Sequence, residues 1–379
     1  MSEVYDVGVV GAGIVGLAHA WAAARLGKRV VVIERDAQAT GASIRNFGFV
    51  TVTGQQAGDC WERARRAREV WAEAAQAAGI PILQRGLLVT ARRPEAEAVI
   101  DAFLATDMGD GCRRVSPAEA AAWVPAIRQD HVTAALQSPH ELRVESRTAV
   151  PRLAAWLAEA LGVSFHWDCA VHGVIPPRVE TSRGPISAET VIVCPGDDTR
   201  SLFAERLSAY GIGRTKLQML RLVPERDTMM QTALMSDLGL ARYRGYADLP
   251  EAIALQARLD AEQPDQRRAG VHLIAVRSSD GSLVVGDSHE DGETPDPFIS
   301  ERINRLILDE LDAVVDLGPY RLNETWAGTY AKASDRWRVI DAPDDATRVV
   351  VVTAGCGAST AFGIAEETLS NLYGKATAA

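Results

Sequence analysis

The residues best suited to chemistry form a nucleotide-binding pattern near the N-terminus. Gly11, Gly13 and Gly16 have the spacing G-x-G-x-x-G, directly after the Val-rich run VYDVGVV and before a stretch of helical spacing. Glu34 ends the next Val-rich run, 18 residues after Gly16. In such a strand–helix–strand unit the glycines allow the backbone to approach a pyrophosphate, and the acid accepts hydrogen bonds from a ribose. The pattern predicts a dinucleotide site, and Glu34 disfavours a ligand with a 2′-phosphate.

NAD and FAD share this fingerprint, and three later stretches favour FAD. GASIRNFGFV (41–50) follows the second strand, VIVCPGDD (191–198) ends a buried strand on a glycine turn, and TAGCGASTAFG (353–363) places small residues at a helix start. A helix N-terminus directed at a flavin stabilises the negative charge that develops on reduction. Each stretch alone also fits ordinary turn chemistry, but their order along the chain favours FAD. The predicted cofactor-binding residues are Gly11, Gly13, Ile14, Val15, Gly16, Glu34, Arg35, Ala42, Ser43, Arg45, Asn46, Gly48, Cys194, Gly196, Gly355, Gly357, Ala358, Ser359 and Thr360.

Composition excludes several other classes of protein. The chain has 379 residues and a net charge of −10, so nucleic-acid binding as the main role is not expected. The five cysteines have no C-x-x-C spacing, which argues against a zinc site or a disulfide framework and favours a reducing compartment. No uninterrupted apolar run is long enough for a membrane span. These features predict a cytoplasmic protein without a metal site; its oligomeric state stays open.

The elements that must position these motifs indicate an α/β (α+β) fold in two interleaved parts. The N-terminal unit and the final strand–helix pair both have nucleotide-binding character, so both ends of the chain are expected in one domain. We predict a Rossmann-like FAD-binding domain from residues 1–85, 145–215 and 320–379. Residues 86–144 and 216–319 contain several strand candidates, including KLQMLRLV and VHLIAVR, and are predicted to form a substrate-binding domain with an antiparallel or mixed sheet.

These motifs resemble those of the D-amino-acid oxidase/glycine oxidase/sarcosine oxidase superfamily of FAD enzymes, over nearly the full length. The resemblance rests on GAGIVG, Glu34-Arg35, GAS (41–43), VIVCPG (191–196), ETWAG (324–328) and AGCGASTAFG (354–363). Within that superfamily, SIRNFG, KLQMLR, GDSHE and TAFG resemble a bacterial subfamily associated with phosphonate catabolism, proposed to oxidise an aminophosphonate.

The resemblance implies an enzyme that oxidises a small primary or secondary amine. A hydride passes from the carbon beside the nitrogen to flavin N5, the imine is hydrolysed to an aldehyde, and oxygen or another acceptor reoxidises the flavin. An aminophosphonate is the first substrate candidate. The alternatives are the deamination of glycine, sarcosine or a D-amino acid, and a flavin electron-transfer subunit without amine chemistry of its own.

Two departures from the superfamily pattern bear on catalysis. Tyr330 stands where glycine-oxidase-like members continue ETWAG to an arginine that binds the substrate carboxylate, so that clamp is lost. His289, in GDSHE, falls where sarcosine-oxidase-like members place a lysine near the flavin. It is predicted to supply a switchable positive charge, and a surface or turn histidine is the alternative. No cysteine occurs in 324–334, where those members attach FAD, so FAD is predicted to be non-covalent. The catalytic candidates are His289 and Tyr330.

A dianionic phosphonate needs several donors, and the sequence offers more than one set. Arg221 is either a buried cation that awaits an anion or a strand-edge side chain in water, and the tyrosines around Arg244 are either ligand contacts or packing. Arg45 either belongs to the cofactor site or replaces the missing arginine as an anion anchor. The predicted substrate-binding residues are Arg45, Arg221, Arg242, Tyr243, Tyr246, Tyr330 and Lys332.

Overall fold

Short Val-rich runs form the central strands of a parallel sheet, and burial on both faces explains their continuous apolar sequences. The computed structural model describes residues 4–374. The central strands of this first sheet follow the order β18-β10-β1-β2-β7 and are all parallel, with β17 added antiparallel at one edge and the β8–β9 hairpin attached to β10. Its strands are β1 (Val4–Val10), β2 (Val30–Ile33), β7 (Ser164–His166), β8 (Val171–Ile175), β9 (Arg178–Thr181), β10 (Ile186–Val193), β17 (Arg338–Asp344) and β18 (Thr347–Val352).

A second, mixed sheet holds ten strands of the described chain and is mostly antiparallel. Its path is β15-β11-β14-β13-β12-β4-β6-β3, with β16 paired to β11 and β5 paired to β6. The pairing of β12 with β4 is parallel. The strands are β3 (Phe49–Val50), β4 (Gln84–Ala91), β5 (Arg113–Val115), β6 (Ala134–Arg143), β11 (Gly213–Pro224), β12 (Ala233–Met235), β13 (Ile274–Arg277), β14 (Leu283–Gly286), β15 (Glu290–Gly292) and β16 (Tyr320–Lys332).

The helices pack against the two sheets. They are α1 (Ile14–Arg25), α2 (Asp59–Ala78), α3 (Pro94–Leu104), α4 (Pro117–Ala120), α5 (Ser146–Leu161), α6 (Ala204–Ser208), α7 (Arg244–Ala247), α8 (Ala252–Glu262), α9 (Pro264–Arg268), α10 (Glu301–Val314) and α11 (Gly357–Tyr373), with short 3-10 helices at Ala42–Ile44 and Asp107–Gly109. No helix within residues 4–374 is long and apolar enough to cross a membrane.

Helix α11 is fixed at its start by aromatic contacts, which matters because that end faces the cavity described below. The Trp71 indole N–H in α2 donates to the Ala358 carbonyl at 2.8 Å. Trp21 of α1 and Trp71 both contact Phe362 edge-on, with ring centroids 5.3 Å apart. All three rings are buried, so the N-terminus of α11 is held rigidly.

The sheets place one segment differently from the predicted domain boundaries. Residues 320–379 were expected in the FAD-binding domain, but β16 pairs with β11 along its length and belongs to the second sheet. The chain returns to the first sheet only with β17, at Arg338. Apolar and polar residues alternate only loosely along β16, so its sequence does not reveal that β11 is its partner strand. The remaining domain limits stay a prediction.

Candidate active site

A long cavity of about 910 Å³ runs along the junction of the two sheets. Val10, Ile33 and Val193, at the ends of parallel strands β1, β2 and β10, line one side. Leu217 and Met219 of the second sheet line the other side. Ligands of open parallel sheets bind outside the carboxyl ends of the strands, where this cavity begins.

The nucleotide-binding turn is built closely enough that two glycines are required. Gly11 has φ +103°, and a Cβ there would lie 2.5 Å from the Cys194 carbonyl oxygen. A Cβ at Gly16 would lie 1.8 Å from the Gly11 carbonyl oxygen. Gly11 lines the cavity, whereas Gly16 lies behind the turn. The missing side chain of Gly16 therefore permits close packing within the turn, and its predicted place among the cofactor-binding residues stays a prediction.

The Ser43 hydroxyl connects the segment after β2 to this turn. It accepts a hydrogen bond from the Ile14 N–H at 2.9 Å and would lie 3.0 Å from a Cβ at Gly13. Gly13 thus leaves space at the start of α1 that any larger residue would fill. The unpaired N–H groups of a helix N-terminus and this cradle suit a pyrophosphate.

Glu34 closes the nucleotide end of the cavity. Its carboxylate accepts hydrogen bonds from the Ala12 N–H at 2.7 Å and from the Asp36 N–H at 3.1 Å. The next residue, Arg35, pairs with Asp198 at 3.0 Å across the ends of β2 and β10. Glu34 remains half-buried and lines the cavity, so it retains capacity to accept hydrogen bonds from a ribose.

The segment 41–48 runs along the cavity and is held by its own polar side chains. The Asn46 amide donates to the Ala42 carbonyl at 2.8 Å and accepts from the Gly48 N–H at 2.6 Å. A Cβ at Gly48 would lie 1.7 Å from the Val144 carbonyl oxygen, so this glycine permits a backbone contact and does not itself line the cavity. Its expected role beside the cofactor is corrected accordingly.

Arg45 lies against β16. Its guanidinium donates to the Ala327 carbonyl at 3.5 Å, and its own carbonyl accepts from the Trp326 indole N–H at 3.1 Å. The side chain borders the main cavity and also a smaller adjoining cavity of about 710 Å³. Arg45 therefore borders both cavities, a position compatible with each of the two roles expected for it.

Small residues just before and within the first turn of α11, the last helix of the chain, also line the cavity. Gly355, Gly357, Ala358 and Ser359 line it. The Ser359 hydroxyl accepts from the Thr51 N–H at 2.9 Å. Thr360 donates to the Cys356 carbonyl at 2.9 Å and is fully buried outside the cavity lining, so its predicted cofactor contact is also corrected.

Several predicted cofactor-binding residues line the same cavity, and its shape and hydrogen-bonding groups fit FAD. The tight turn, the Ser43 cradle, Glu34 and the N-terminus of α11 are distributed along one continuous cavity. Ile14, Val15, Ala42, Cys194 and Gly196 complete its lining among the predicted residues. Cys60, Cys169 and Cys356 also line it, so non-covalent attachment remains a prediction.

Five of the seven predicted substrate residues line the cavity, and two do not. Arg45, Arg242, Tyr243, Tyr330 and Lys332 line it. Arg221 is buried in a separate polar cluster, where it donates to Ser282 at 2.9 Å and lies 3.5 Å from Glu324. Tyr246 packs on Phe103 with ring centroids 4.7 Å apart and lies outside the lining. These positions overturn the substrate roles of Arg221 and Tyr246: one is a structural ion pair and the other is core packing.

The cationic side chains at the cavity differ in whether they already have a partner. Lys332 donates to Asp291 at 2.6 Å, and Arg244 pairs with Asp248 at 3.1 Å. Arg242 forms no ion pair with a carboxylate anywhere in the described chain. An unpaired, half-buried guanidinium that lines a cavity is suited to bind an anionic ligand group.

Burial controls the protonation of the aromatic and imidazole groups at this end. It raises the pKa of Tyr330 to about 12, while Arg242 acts in the opposite direction, so the phenol is neutral at pH 7. Burial, followed by the charge of Arg242, holds the pKa of His289 well below its usual value. Burial therefore favours the neutral imidazole of His289, which argues against the predicted switchable positive charge. Its catalytic role remains a proposal.

Two cavity residues were not singled out from the sequence. His272 precedes β13, and Asp287 follows β14 within the GDSHE motif. With His289 they form a buried group whose possible ligand atoms all lie within 4.8 Å of one another. The sequence does not show that His272 and Asp287 are neighbours, because 14 residues, including the turn between β13 and β14, lie between them.

Comparison with known proteins places the chain in a family. The family model described as DAO, FAD dependent oxidoreductase, matches residues 6–370. Comparison of the sequence with curated proteins finds no match.

Solved structures with the same fold cover nearly the whole chain. L-proline dehydrogenase from P. horikoshii superposes with a TM-score of 0.80 at 20% identity, covering 100% of this chain and 96% of that chain. Glycine oxidase from Geobacillus kaustophilus gives a TM-score of 0.77 at 18% identity over 100% and 96%. L-alpha-glycerophosphate oxidase from Mycoplasma pneumoniae with FAD bound gives 0.73 at 15% identity over 98% and 95%. The chain thus shares its mixed α/β fold with these enzymes, one of which was solved with FAD bound. Because the family model matches residues 6–370, the chain belongs to the DAO family of FAD-dependent oxidoreductases.

Proposed function

We propose that this enzyme oxidises a small amine that carries an anionic group, with an aminophosphonate as the first substrate candidate. The observation that carries the proposal is Arg242, a cavity arginine without a carboxylate partner among residues 4–374. Tyr243 and Tyr330 line the cavity beside it. A guanidinium with neighbouring phenols offers the several donors that a phosphonate requires.

The preference for a phosphonate over a carboxylate is supported by the sequence. Tyr330 occupies the position where the resembled amino-acid oxidases have their carboxylate-binding arginine, and the motifs SIRNFG, KLQMLR and GDSHE resemble the phosphonate-associated subfamily. The Tyr330 ring lies directly against Gly355, where an added Cβ would be 3.1 Å from it. The cavity end is therefore shaped by a neutral phenol where an arginine would otherwise stand.

The residues of this chain would bind and orient the reactants. Bound FAD supplies a two-electron acceptor for the hydride of the carbon beside the amine nitrogen. Glu34 and Ser43 would hold the adenosine and pyrophosphate parts, and Arg242 would fix the anionic end of the amine. Hydrolysis of the resulting imine releases an aldehyde, and oxygen or another acceptor takes up the electrons.

An anaerobic substrate screen tests the proposal. The purified protein should be yellow, and an aminophosphonate such as 2-aminoethylphosphonate or its N-methyl derivative should bleach the visible flavin absorbance. Glycine, sarcosine and D-alanine serve as matched carboxylates. Bleaching by these amino acids alone would reject the phosphonate preference while leaving the amine chemistry in place.

Amino-acid oxidation is the second candidate function. The solved structures of similar fold include an L-proline dehydrogenase and a glycine oxidase. In this case Arg242 would bind a carboxylate in place of the arginine lost at Tyr330. A flavin that no amine reduces but that a partner protein does reduce would instead support an electron-transfer subunit.

Arg45→Ala is expected to separate the two roles of Arg45. We expect loss of bound FAD if the guanidinium serves the cofactor, and yellow protein with a raised substrate KM if it anchors the anion. The cofactor role is favoured because Ser43 of the same segment accepts a hydrogen bond from the Ile14 N–H at the nucleotide-binding turn, at 2.9 Å. The measurement is the FAD-to-protein absorbance ratio after gel filtration, followed by steady-state kinetics. Unchanged FAD content and unchanged KM would exclude both roles.

We retain a cytoplasmic location as part of the proposal, because all five cysteines are free thiols.

A further inference from the structure

Backbone pairing fixes Asp287, His272 and His289 in one rigid group. The His272 N–H donates to the Asp287 carbonyl and the Asp287 N–H donates to the His272 carbonyl, both at 3.1 Å, which extends the β13–β14 ladder beyond the strands. The His289 N–H donates to the Ala269 carbonyl at 2.9 Å, and its imidazole Nδ1 lies 3.1 Å from the Gly270 carbonyl oxygen. Nδ1 therefore carries the proton, and Nε2 faces Asp287.

Asp287 differs from the other buried carboxylates in the described part of the chain. Asp237 and Glu310 pair with arginines, and Asp341 pairs with Arg206. Glu141 accepts hydrogen bonds from backbone N–H groups. Asp287 is 4% exposed and makes no pair with an arginine or lysine of the described residues; His272 Nδ1 lies 3.1 Å and His289 Nε2 3.8 Å from its carboxylate oxygens. Its buried Oδ1 accepts no hydrogen bond within residues 4–374.

A buried carboxylate without a cation is costly, and this one lines the substrate end of the cavity. Arg242, which lines the same cavity, is a cation without a carboxylate partner in the described chain. The cavity thus presents a cation and an acid that form no direct ion pair with each other, although the charge of Arg242 acts on Asp287. A ligand with an anionic group and an ammonium group supplies both missing partners.

We propose that Asp287 binds the ammonium group of the substrate and accepts its proton before oxidation, with His272 and His289 as positioning residues. The N–H bond breaks, its electron pair stays on nitrogen, and the proton moves to a carboxylate oxygen, so no redox change occurs in this step. A protonated amine cannot release a hydride from its carbon, so removal of this proton is necessary. The inference deepens the proposed function and rests on it.

The protonation of the surrounding groups supports this assignment. Burial raises the pKa of Asp287 to about 8, and the charge of Arg242 opposes that shift. Burial also holds the pKa values of His272 and His289 well below the usual value, so both are neutral at pH 7. The other titratable or charged groups facing Asp287 are Arg242, Tyr243 and Tyr330, with Lys332 and Asp291 paired beyond them. A carboxylate of raised pKa accepts a proton from an amine better than an ordinary aspartate does.

The sign of the pH dependence follows from that shift. Below about pH 8 Asp287 is mostly protonated and cannot accept the ammonium proton. kcat/KM should therefore rise about tenfold per pH unit up to pH 8 and level off above it. Deprotonation of the substrate's own ammonium group produces a second change in kcat/KM at higher pH, and this change does not depend on the enzyme.

Binding of ligands that cannot be oxidised gives a readout independent of turnover. 2-Amino-2-methylpropylphosphonate has no hydrogen on the carbon beside nitrogen, and 2,2-dimethylpropylphosphonate is its isostere with a methyl group in place of the amine. For the carboxylate class, 2-aminoisobutyrate and pivalate form the matched pair. Titration of the holoenzyme, followed by the flavin absorbance change, should show at least about tenfold tighter binding of the amine than of its isostere. This preference should increase as the pH rises through 8.

Asp287→Asn tests the residue directly. We expect the variant to retain FAD and to bind the amine and its isostere with affinities within about threefold of each other. Its kcat/KM should be lower by about 10²–10⁴-fold and should no longer rise with pH up to pH 8. Asp287→Glu should restore part of the preference and of the pH dependence. Preference and pH dependence retained in Asp287→Asn would overturn the inference. So would loss of the preference on EDTA treatment with recovery on Zn²⁺, which would assign the three side chains to a metal ion.

The experiment remains decisive in two unfavourable cases. If Asp287→Asn does not fold, equal binding of amine and isostere by the wild-type protein at pH 9 still overturns the inference. If neither phosphonates nor amino acids bleach the flavin in the screen, the proposed function fails, while the binding of the two matched pairs still reports on Asp287.

Discussion

Arg242→Met is expected to lower kcat/KM for the anionic amine by about 30- to 5000-fold, with FAD retained. Removing one member of a desolvated charge pair costs roughly 2–5 kcal/mol, which corresponds to this range. The effect should lie mainly in KM, because Arg242 holds a group that does not react. Steady-state kinetics with the substrate identified by the screen provide the measurement.

A neighbouring arginine provides the matched control. Arg244→Ala removes a cation two residues away that is already paired with Asp248 at 3.1 Å and is half-exposed, so a change below about threefold is expected. Arg242→Lys should recover only part of the affinity, because an ammonium cannot bind the anion in a bidentate manner. Equal effects of the changes at 242 and 244 would contradict the role of Arg242 as an anchor.

Glu34→Ala should yield protein that has lost most of its FAD. The carboxylate orders the nucleotide turn through the Ala12 N–H at 2.7 Å and is expected to accept hydrogen bonds from the adenosine ribose. Loss of charged hydrogen bonds worth about 1.5–3 kcal/mol weakens FAD binding roughly 10- to 150-fold. The dissociation constant is measured by the quenching of flavin fluorescence on reconstitution of the apoprotein.

Glu34→Gln separates binding from folding in this experiment. Its amide oxygen can still accept from the Ala12 N–H, so we expect a smaller loss of affinity with an unchanged melting temperature of the apoprotein. If Glu34→Ala retained FAD with wild-type affinity, Glu34 would be a structural support of the turn and not a cofactor ligand.

The fold and the nucleotide end of the site were predictable because their determinants are local. The strand VYDVGVV, predicted at 4–10, is β1 at Val4–Val10, and the amphipathic run 299–315 is α10 at Glu301–Val314. In GAGIVG the strand, turn and helix are contiguous, so composition and spacing define the geometry. Even there the sequence did not distinguish Gly11, which lines the cavity, from Gly16, which permits close packing within the turn.

At the substrate end the sequence predicted the kinds of residue but not their partners, as Arg221 and Arg242 show. Leu217, Met219 and Arg221 alternate along β11, yet the first two line the cavity and Arg221 pairs instead with carboxylates from other segments. The residue type suggested an anion partner correctly, but that partner is Glu145 and Glu324 of the protein itself. Arg242 has the same chemistry and lacks such a partner in the described chain.

By itself, then, the sequence determined the FAD-binding fold, the family and the kind of reaction, since these depend on motifs whose residues are neighbours along the chain. Only the tertiary structure decided which side chains meet at the substrate end. Asp287 and His272 face each other because β13 and β14 pair antiparallel, and β16 brings Tyr330 to the same cavity because it pairs with β11. Strand register and burial set these contacts and the pKa of Asp287, and both arise from pairing between segments distant in sequence.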